Sequence, residues 1–281
     1  MADFLAGMAI ASRRRAHATM RRVPLAELRA RAADRPPPPG LTLSADGFDV
    51  IAEIKRRSPG GDGARVDIRP DRRAVAYADG GAVAISVLTE PLAFDGSLDD
   101  LAAAARALER FERPIPTMRK DFVVEPYQLF EARAAGGGGV LLIADLLATL
   151  DAGALLDAAA EAGVWVLIEA FADAHVDHAA RLARLAADRG VRALVGVNVR
   201  DLRTLDVDPG RLARVAERLP RDLPRVAESG MLAVGDVAAA ARLGYGLALV
   251  GRALSGASDP RGLLAGMLRA GRAGHREAAC A

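Results

Sequence analysis

The sequence predicts an α/β protein of the (β/α)8 TIM-barrel class, preceded by an N-terminal helical extension. Three observations support this prediction. Eight short apolar segments recur along the chain, and alanine-, leucine- and arginine-rich stretches of helical length lie between them. Such alternation is typical of βαβ units in a parallel sheet, and eight units close a barrel. Each apolar segment also ends in or beside a polar residue, and barrel enzymes carry their catalytic groups at these strand ends.

The N-terminal extension is predicted to cover residues 1–48. Its first part, over 3–33, has helical spacing of apolar residues and is interrupted by Pro24, which disrupts an α-helix. The prolines over 36–39 then form a stiff connector. Two interpretations remain open for its arginines: a solvated helix face, or attraction of an anionic substrate to the barrel mouth. This basic cluster comprises Arg13, Arg14, Arg15, Arg21 and Arg22.

The barrel is predicted to span 49–272 and to be followed by a flexible tail over 273–281. This length suits one barrel and leaves no room for a second. The predicted strands span 50–55, 82–88, 115–120, 139–144, 164–169, 193–198, 224–229 and 247–252. The predicted helices lie near 70–80, 97–110, 126–136, 147–162, 172–188, 208–218, 233–243 and 259–272.

Composition restricts the functional classes. Hydrophobic residues make up 51% and aromatic residues 4%, which indicates an aliphatic core suited to buried parallel strands. The net charge of +2 does not favour a nucleic-acid partner. Cys280 is the only cysteine, so one chain offers neither a disulfide nor a cysteine metal site. With no signal-peptide pattern and no membrane-length apolar run, we expect a cytoplasmic protein that is a monomer or weak homo-oligomer.

Two lysines and two glutamates are the first candidates for catalysis. Glu53 and Lys55 lie two residues apart on the first strand and therefore share a face, which must be the barrel interior. A structural ion pair is the alternative interpretation of this pair. Lys120 and Glu169 end the third and fifth strands. Four such groups around one mouth would shift each other's pKa values, as acid–base catalysis requires.

Candidate binding residues follow at the ends of later strands. Asn198 could orient a substrate ring or hydroxyl, and Arg200 is equally suited to pair with Glu228 or to contact substrate. Backbone amides after strands seven and eight often bind phosphate in such barrels, although ordinary tight turns are the alternative. The candidate phosphate residues are Ser58, Ser229, Gly230, Gly251 and Arg252.

A glycine-rich segment and the four histidines also bear on function. The glycine-rich segment after the first strand contains Gly60 and Gly61 and is a candidate mobile lid. The histidines lie away from strand ends and are interpreted as surface residues, so no metal site is expected. They are His17, His175, His178 and His275.

With these residues in place, the sequence resembles the indole-3-glycerol phosphate synthase family over most of the barrel. The most specific motifs are a KDF followed by EPYQ, and an NxRDL followed by AESG. The matching segments are IAEIKRRSP (51–59), SVLTE (86–90), FDGSLDDL (94–101), RKDFVVEPYQLFEARAAG (119–136), VLLI (140–143), LIEA (167–170), VGVNVRDLRTLDVD (195–208), VAESG (226–230) and LVG (249–251).

The resemblance implies a reaction and roles for the residues. The substrate would be 1-(2-carboxyphenylamino)-1-deoxyribulose 5-phosphate, which undergoes ring closure, decarboxylation and dehydration to indole-3-glycerol phosphate without cofactor or metal. Lys120 matches the lysine that polarises the ketone, and Glu169 matches an acid–base glutamate. Lys55 matches the second lysine, beside Glu53, and the division of labour between the lysines stays open. Residues implied in substrate contact are Ser58, Phe94, Asn198, Arg200, Glu228, Ser229, Gly230, Gly251 and Arg252.

Departures from the family pattern leave alternatives open. The segment SPGGDG replaces SPSxG, Phe171 lies where a polar group is common, and Arg252 replaces a glutamate or small residue. These changes could mark a paralogue that supplies indole to secondary metabolism or accepts substituted anthranilates. Phosphoribosylanthranilate isomerase is disfavoured because it needs a cysteine on the first strand. A non-catalytic barrel that binds a phosphorylated ligand is the alternative from another class, and an intact catalytic set disfavours it.

Overall fold

The computed structural model describes residues 3–57 and 68–280 and contains a closed parallel barrel. Each strand pairs with the next, and the first pairs with the last. This confirms the predicted (β/α)8 class. The strands are β1 (Asp49–Ile54), β2 (Ala84–Leu88), β3 (Thr117–Lys120), β4 (Gly139–Ile143), β5 (Trp165–Ala170), β6 (Ala193–Asn198), β7 (Arg225–Glu228) and β8 (Leu247–Val250).

Helices cover the outside of the barrel and lie close to the predicted positions. Three short helices, α4, α7 and α12, were not predicted and follow β2, β4 and β8. The helices are α1 (Phe4–Met20), α2 (Leu25–Ala33), α3 (Pro70–Asp79), α4 (Pro91–Phe94), α5 (Leu98–Leu108), α6 (Tyr127–Ala134), α7 (Ala144–Leu147), α8 (Ala152–Ala162), α9 (Val176–Ala187), α10 (Arg211–Val215), α11 (Val234–Arg242), α12 (Arg252–Gly256) and α13 (Pro260–Ala279). None of those in the described ranges has the length and apolarity of a membrane span.

Local sequence explains several helix starts. Ser97 accepts a hydrogen bond from the Asp100 amide and so caps α5. Asp151 caps α8 through the Ala154 amide in the same way. Pro70 occupies the first turn of α3, where its missing amide hydrogen costs nothing.

Alternation along the strands separates two apolar layers. One set of side chains from each strand fills the barrel interior, where Trp165 and Leu167 pack with Met118 and Leu141. The other set, such as Val166 and Ile168, packs outward against the helices. Glu53, Lys120, Glu169 and Glu228 belong to the inward set, because they alternate with these outward residues.

The N-terminal extension packs on helix α6 and at the C-terminal end of the barrel strands, among other contacts. The hydroxyl of Tyr127 on α6 donates to the Val23 carbonyl, between α1 and α2. Helix α1 lies at the C-terminal end of the strands, where the Phe4 ring meets Phe122 edge-on at 6.0 Å. The solvated-face interpretation of the basic cluster is therefore wrong for Arg15, which forms ion pairs with two buried carboxylates.

The C-terminal segment differs from the flexible tail that the sequence suggested. Helix α13 continues through residues 273–279. Small residues explain this extension, because a Cβ at Gly274 would approach the Ala238 carbonyl oxygen to 2.5 Å. Close packing against α11 thus holds the last turns, and Arg242 adds an ion pair with Glu277 at 3.2 Å.

Candidate active site

One cavity opens at the C-terminal ends of the strands and brings together nearly all the predicted site residues. Because these strands are parallel, their ends meet at one mouth, although their positions in the sequence are far apart. The prediction for Ser58, and that of a mobile lid around Gly60 and Gly61, lies outside the described residues. The predicted residues that line the cavity are Glu53, Lys55, Phe94, Lys120, Glu169, Asn198, Arg200, Glu228, Ser229, Gly230, Gly251 and Arg252.

Lys120 lies at the centre of the polar part of the cavity. Its Nζ donates to Glu169 Oε2 and to Glu228 Oε2, each at 3.1 Å. Burial alone would lower the pKa of this ammonium. The negative charges of Glu169, Glu228 and Glu53 outweigh burial and raise the Lys120 pKa above its usual value. The resting site therefore holds Lys120 as a cation that can donate hydrogen bonds to a substrate oxygen.

Lys55 and Glu53 form a second ion pair at the cavity mouth, at the end of β1. The Lys55 Nζ lies 2.5 Å from Glu53 Oε1, and only 3% of Glu53 is exposed. Burial favours the neutral carboxyl, but Lys55 and then Lys120 overcome this effect and lower the Glu53 pKa. The ion pair that the sequence left as an alternative exists, and it lines the cavity.

Glu228 has the opposite electrostatic character. Burial raises its pKa well above the usual carboxyl value, and the nearby negative charge of Glu169 raises it further, although Lys120 acts against this. The Oε1 atoms of Glu169 and Glu228 are buried, and neither has a hydrogen-bond partner in the described part of the chain. Two such carboxyls sharing one lysine favour retention of a proton by one of them.

A glycine on β6 makes room for Glu228. A Cβ at Gly196 would lie 2.0 Å from Glu228 Oε1, closer than any real contact. A glycine at 251 has the same relation to Glu53, with a Cβ–Oε1 distance of 2.2 Å. Packing against Glu53 therefore already requires glycine at 251, whether or not its amide binds phosphate.

Asn198 and Arg200 form a local hydrogen-bonded unit at the end of β6. Asn198 Oδ1 accepts from the Arg200 amide at 2.9 Å, which leaves its NH2 group for a ligand. Arg200 Nη1 donates to the Leu205 carbonyl at 2.6 Å. No ion pair joins Arg200 to Glu228 among the described residues, so the pairing alternative is wrong. Burial, and then the positive charge of Arg252, lower the Arg200 pKa.

The turn after β7 has an uncommon backbone conformation. Ser229 and Gly230 both have left-handed conformations, with φ of 63° and 73°. Consecutive residues of this kind turn the chain sharply at the cavity edge. Arg252 follows β8 on the same side, and neither it nor Arg200 has a carboxylate partner in the described ranges. The unneutralised charge at this edge favours an anionic ligand.

On the apolar side of the cavity, Phe94 was predicted from the sequence and the other lining residues were not. Phe122 lies 6.3 Å from Phe94 between ring centroids, and both residues line the cavity. Apolar residues at strand ends give no signal of binding by themselves, so only their convergence identifies this surface. The further apolar lining residues are Leu88, Leu141, Ile143, Leu202, Val207, Met231, Leu232 and Leu249.

The histidines contribute nothing to this cavity. His175 Nδ1 lies 3.0 Å from an Asp145 oxygen at the rim, and neither residue lines the site. Among the described residues no group of histidine, cysteine and carboxylate side chains is arranged to bind a metal ion.

Solved structures with similar folds include two sugar-phosphate and phosphate-ester enzymes. 3-Hexulose-6-phosphate synthase from Salmonella typhimurium matches with a TM-score of 0.57 and 15% identity, covering 81% of this chain and 100% of that chain. Thiamine phosphate pyrophosphorylase from Pyrococcus furiosus matches with a TM-score of 0.52 and 13% identity, covering 82% of this chain and 97% of that chain. At these identities the likeness concerns the fold alone.

Sequence relatives are far closer. Indole-3-glycerol phosphate synthase of Mycobacterium avium is 42% identical over 251 residues, 89% of this chain and 88% of that protein. The protein of that name from Mycobacterium tuberculosis H37Rv is 41% identical over the same shares. The family model described as indole-3-glycerol phosphate synthase matches residues 8–265. The chain therefore belongs to the indole-3-glycerol phosphate synthase family.

Proposed function

We propose that this chain converts 1-(2-carboxyphenylamino)-1-deoxyribulose 5-phosphate to indole-3-glycerol phosphate. The observation that carries the proposal is the position of Lys120, a buried cation held by Glu169 and Glu228 beneath an apolar wall. A ring closure with loss of CO2 and water needs a cationic hydrogen-bond donor next to a weakly solvated ring, and this arrangement supplies both. Family membership supports the same reaction.

In the first step, the Lys120 ammonium would hydrogen-bond the ketone oxygen of the substrate. This polarises the carbonyl carbon, which the aromatic ring carbon that bears the carboxylate then attacks, and the ketone oxygen takes a proton from Lys120 to become a hydroxyl. Loss of CO2 restores the aromatic ring. A low-dielectric site strengthens the charge stabilisation by Lys120, because little water competes for its protons.

The remaining step is loss of water, which needs one group to remove a proton and another to protonate the leaving hydroxyl. Glu169 is well placed as the base, because its Oε1 has no partner among the described residues. Lys55, paired with Glu53, is the second candidate acid. Asn198 would orient the ring or a hydroxyl through its free NH2 group.

The two ends of the substrate match the two sides of the cavity. The aromatic ring would lie against Phe94 and Phe122. The phosphate would lie by the turn at Ser229 and Gly230, with Arg252 and the Ser58 hydroxyl as further contacts. Arg200, which has no carboxylate partner in the described ranges, is suited to an anionic group of the substrate.

The proposal also covers the cofactor requirement, partners, cellular location and oligomeric state of the protein. The reaction needs neither metal nor cofactor, and its only partner is a small phosphorylated molecule. We expect the protein to act in the cytoplasm, as a monomer or weak homo-oligomer, without nucleic acid or membrane.

Turnover of the substrate, followed by indole fluorescence, tests the proposal directly. A purified protein that binds the substrate without forming an indole would instead support the non-catalytic barrel. The same assay on ring-substituted anthranilate derivatives distinguishes a tryptophan-pathway enzyme from a specialised paralogue. The paralogue should show a kcat/KM for a substituted derivative that exceeds that for the plain substrate.

A further inference from the structure

We propose that Arg15, on helix α1 of the N-terminal extension, is a positioning residue for Lys120. The inference rests on the proposed function, because Lys120 is the acid whose placement matters. Arg15 itself does not line the cavity. It acts from behind the strand ends, through two carboxylates that follow β2 and β3.

The guanidinium of Arg15 spans these two carboxylates. Its Nη1 lies 3.1 Å from Glu90 Oε1, and its Nη2 lies 3.0 Å from Asp121 Oδ1. The exposed fractions of the two carboxylate side chains are 0% and 1%, against 29% for the arginine. A planar fork with two separate donors joins two such groups at fixed spacing, and a lysine has no equivalent geometry.

Asp121 carries this contact to the catalytic strand, because it directly follows Lys120. Its Oδ1 also accepts from the Phe122 amide at 2.9 Å. Its Oδ2 accepts from Thr89 Oγ1 and from Arg119 Nη2, each at 2.9 Å. The carboxylate thus fixes the backbone at the point where the Lys120 side chain leaves β3.

Glu90 links Arg15 to Phe94, on the apolar side of the cavity. Its carboxylate oxygens accept from the amides of Leu92 and Ala93, at 3.0 and 2.6 Å, and so cap helix α4. This helix ends at Phe94, whose ring lines the cavity. Among the described residues, Arg15 is the sole ion-pair partner of Glu90. A fully buried carboxylate without a cation is costly, so loss of Arg15 should shift Glu90 and the end of β2. Asp121 would keep its ion pair with Arg119 but lose the second cation that holds it at the end of β3.

Loss of Arg15 should therefore reduce the chemical step more than substrate binding. The ion pairs of Lys120 with Glu169 and Glu228 remain, but the strand end that presents Lys120 loses a support. A misplacement of about 1 Å at a reacting group costs roughly 100-fold in rate. The groups near the turn at Ser229 lie on other strands and should still bind substrate.

The test compares Arg15→Met with two controls on the same helix. Arg14→Met removes an exposed neighbouring arginine that forms no ion pair in the described part of the chain. Arg13→Met removes an ion pair to Glu125 at 2.9 Å, which docks the helix without contacting the strand ends. We expect Arg15→Met to lower kcat roughly 10- to 100-fold with KM within about threefold, while both controls stay within about twofold. Arg15→Lys, which can reach only one carboxylate, should recover part of the loss.

A spectroscopic measurement tests the inference independently of turnover. Lysine occurs only at positions 55 and 120, so a protein labelled with 13C at lysine Cε gives two signals, assigned with Lys55→Met. Arg15→Met should shift or broaden the Lys120 signal and leave that of Lys55 in place. An unmoved Lys120 signal, an effect on KM alone, or an equal loss in Arg13→Met would overturn the proposal. An inactive wild-type protein would refute the proposed function, and the Lys120 signal would still decide the positioning role.

Discussion

Lysine occurs at only two positions in this chain, Lys55 and Lys120, and both line the cavity. Apart from the four histidines, all other basic side chains are arginines. The guanidinium group does not release its proton in proteins, whereas an ammonium can donate one and change its pKa with its surroundings. The restriction of lysine to the cavity is therefore consistent with proton transfer there.

Replacement of Lys120 tests this role. Lys120→Met keeps much of the aliphatic stem but removes the ammonium, and we expect kcat to fall by roughly 10²–10⁴-fold. Circular dichroism should show an intact fold. Lys55→Met, measured alongside, shows whether the two lysines act in one step or in different steps. A Lys120→Met variant that retains kcat within about threefold of wild type would refute the assignment.

Glu228 predicts a pH dependence of stability. Its pKa lies above the ordinary carboxyl value of 4.5, so the folded protein keeps a proton that the unfolded chain has released. The stability that this group contributes therefore falls as pH rises from the ordinary value to the raised one. Glu228→Gln should flatten this fall, seen in the free energy of unfolding by urea from about pH 4.5 upward. The matched variant Glu112→Gln, at an exposed position, should keep the wild-type slope.

Replacement of Arg252 should weaken substrate binding without slowing the chemical step. Charge-assisted hydrogen bonds contribute about 1.5–3 kcal/mol, so Arg252→Gln should raise KM roughly tenfold or more while kcat stays within about threefold. Inorganic phosphate should also compete less well with substrate in this variant. Arg269→Gln, at an exposed position on α13, is the control. A KM equal to that of wild type would show that the phosphate lies elsewhere.

At the scale of elements, strand β6 makes room for the Glu228 carboxylate because it has glycine at position 196. Because a Cβ at Gly196 would overlap Glu228 Oε1, Gly196→Ala should push that carboxylate away from Lys120. We expect kcat to fall at least about tenfold, since the lysine loses one of its two anchors. Gly235→Ala adds the same atom where nothing lies within 4 Å and should leave kcat unchanged. Equal kcat values for the two variants would contradict this account of β6.

A substitution at position 251 cannot by itself locate the phosphate site. An aspartate there would overlap Glu53 as well as any phosphate, because the first side-chain atom already meets Oε1 at 2.2 Å. A raised KM in such a variant would not identify the phosphate site. Arg252 is the better position, because its side chain can be shortened without a new contact.

At the scale of the whole molecule, the C-terminal helix closes the outer layer beside β8 and β1. It packs on α11 through Gly274 and on Phe48 through Gly271. Deletion of 273–281 should therefore lower Tm by at least about 5 °C, given that 1 kcal/mol corresponds to about 2–4 °C for a chain of this size. Deletion of 280–281 alone should have little effect. Equal Tm values for the two deletions would support the prediction from the sequence that residues 273–281 form a flexible tail.

The sequence by itself determined the barrel and most of the cavity. Strand and helix periodicities are local properties, so β1 to β8 could be located to within two residues at each end. Parallel closure then requires all C-terminal strand ends to meet, which placed Lys55, Lys120, Glu169 and Glu228 at one mouth. Family motifs added the expected substrate.

Only the tertiary structure decided which charges pair and what supports them. Lys120 contacts Glu169 and Glu228, Arg200 contacts a backbone carbonyl, and Arg15 reaches buried carboxylates at the ends of β2 and β3. Strand periodicity gives the direction of a side chain but not the distance across the barrel, and an arginine on a helix gives no local sign of its partner. Pairing energies depend on those distances and on burial, both of which exist only once the chain has folded.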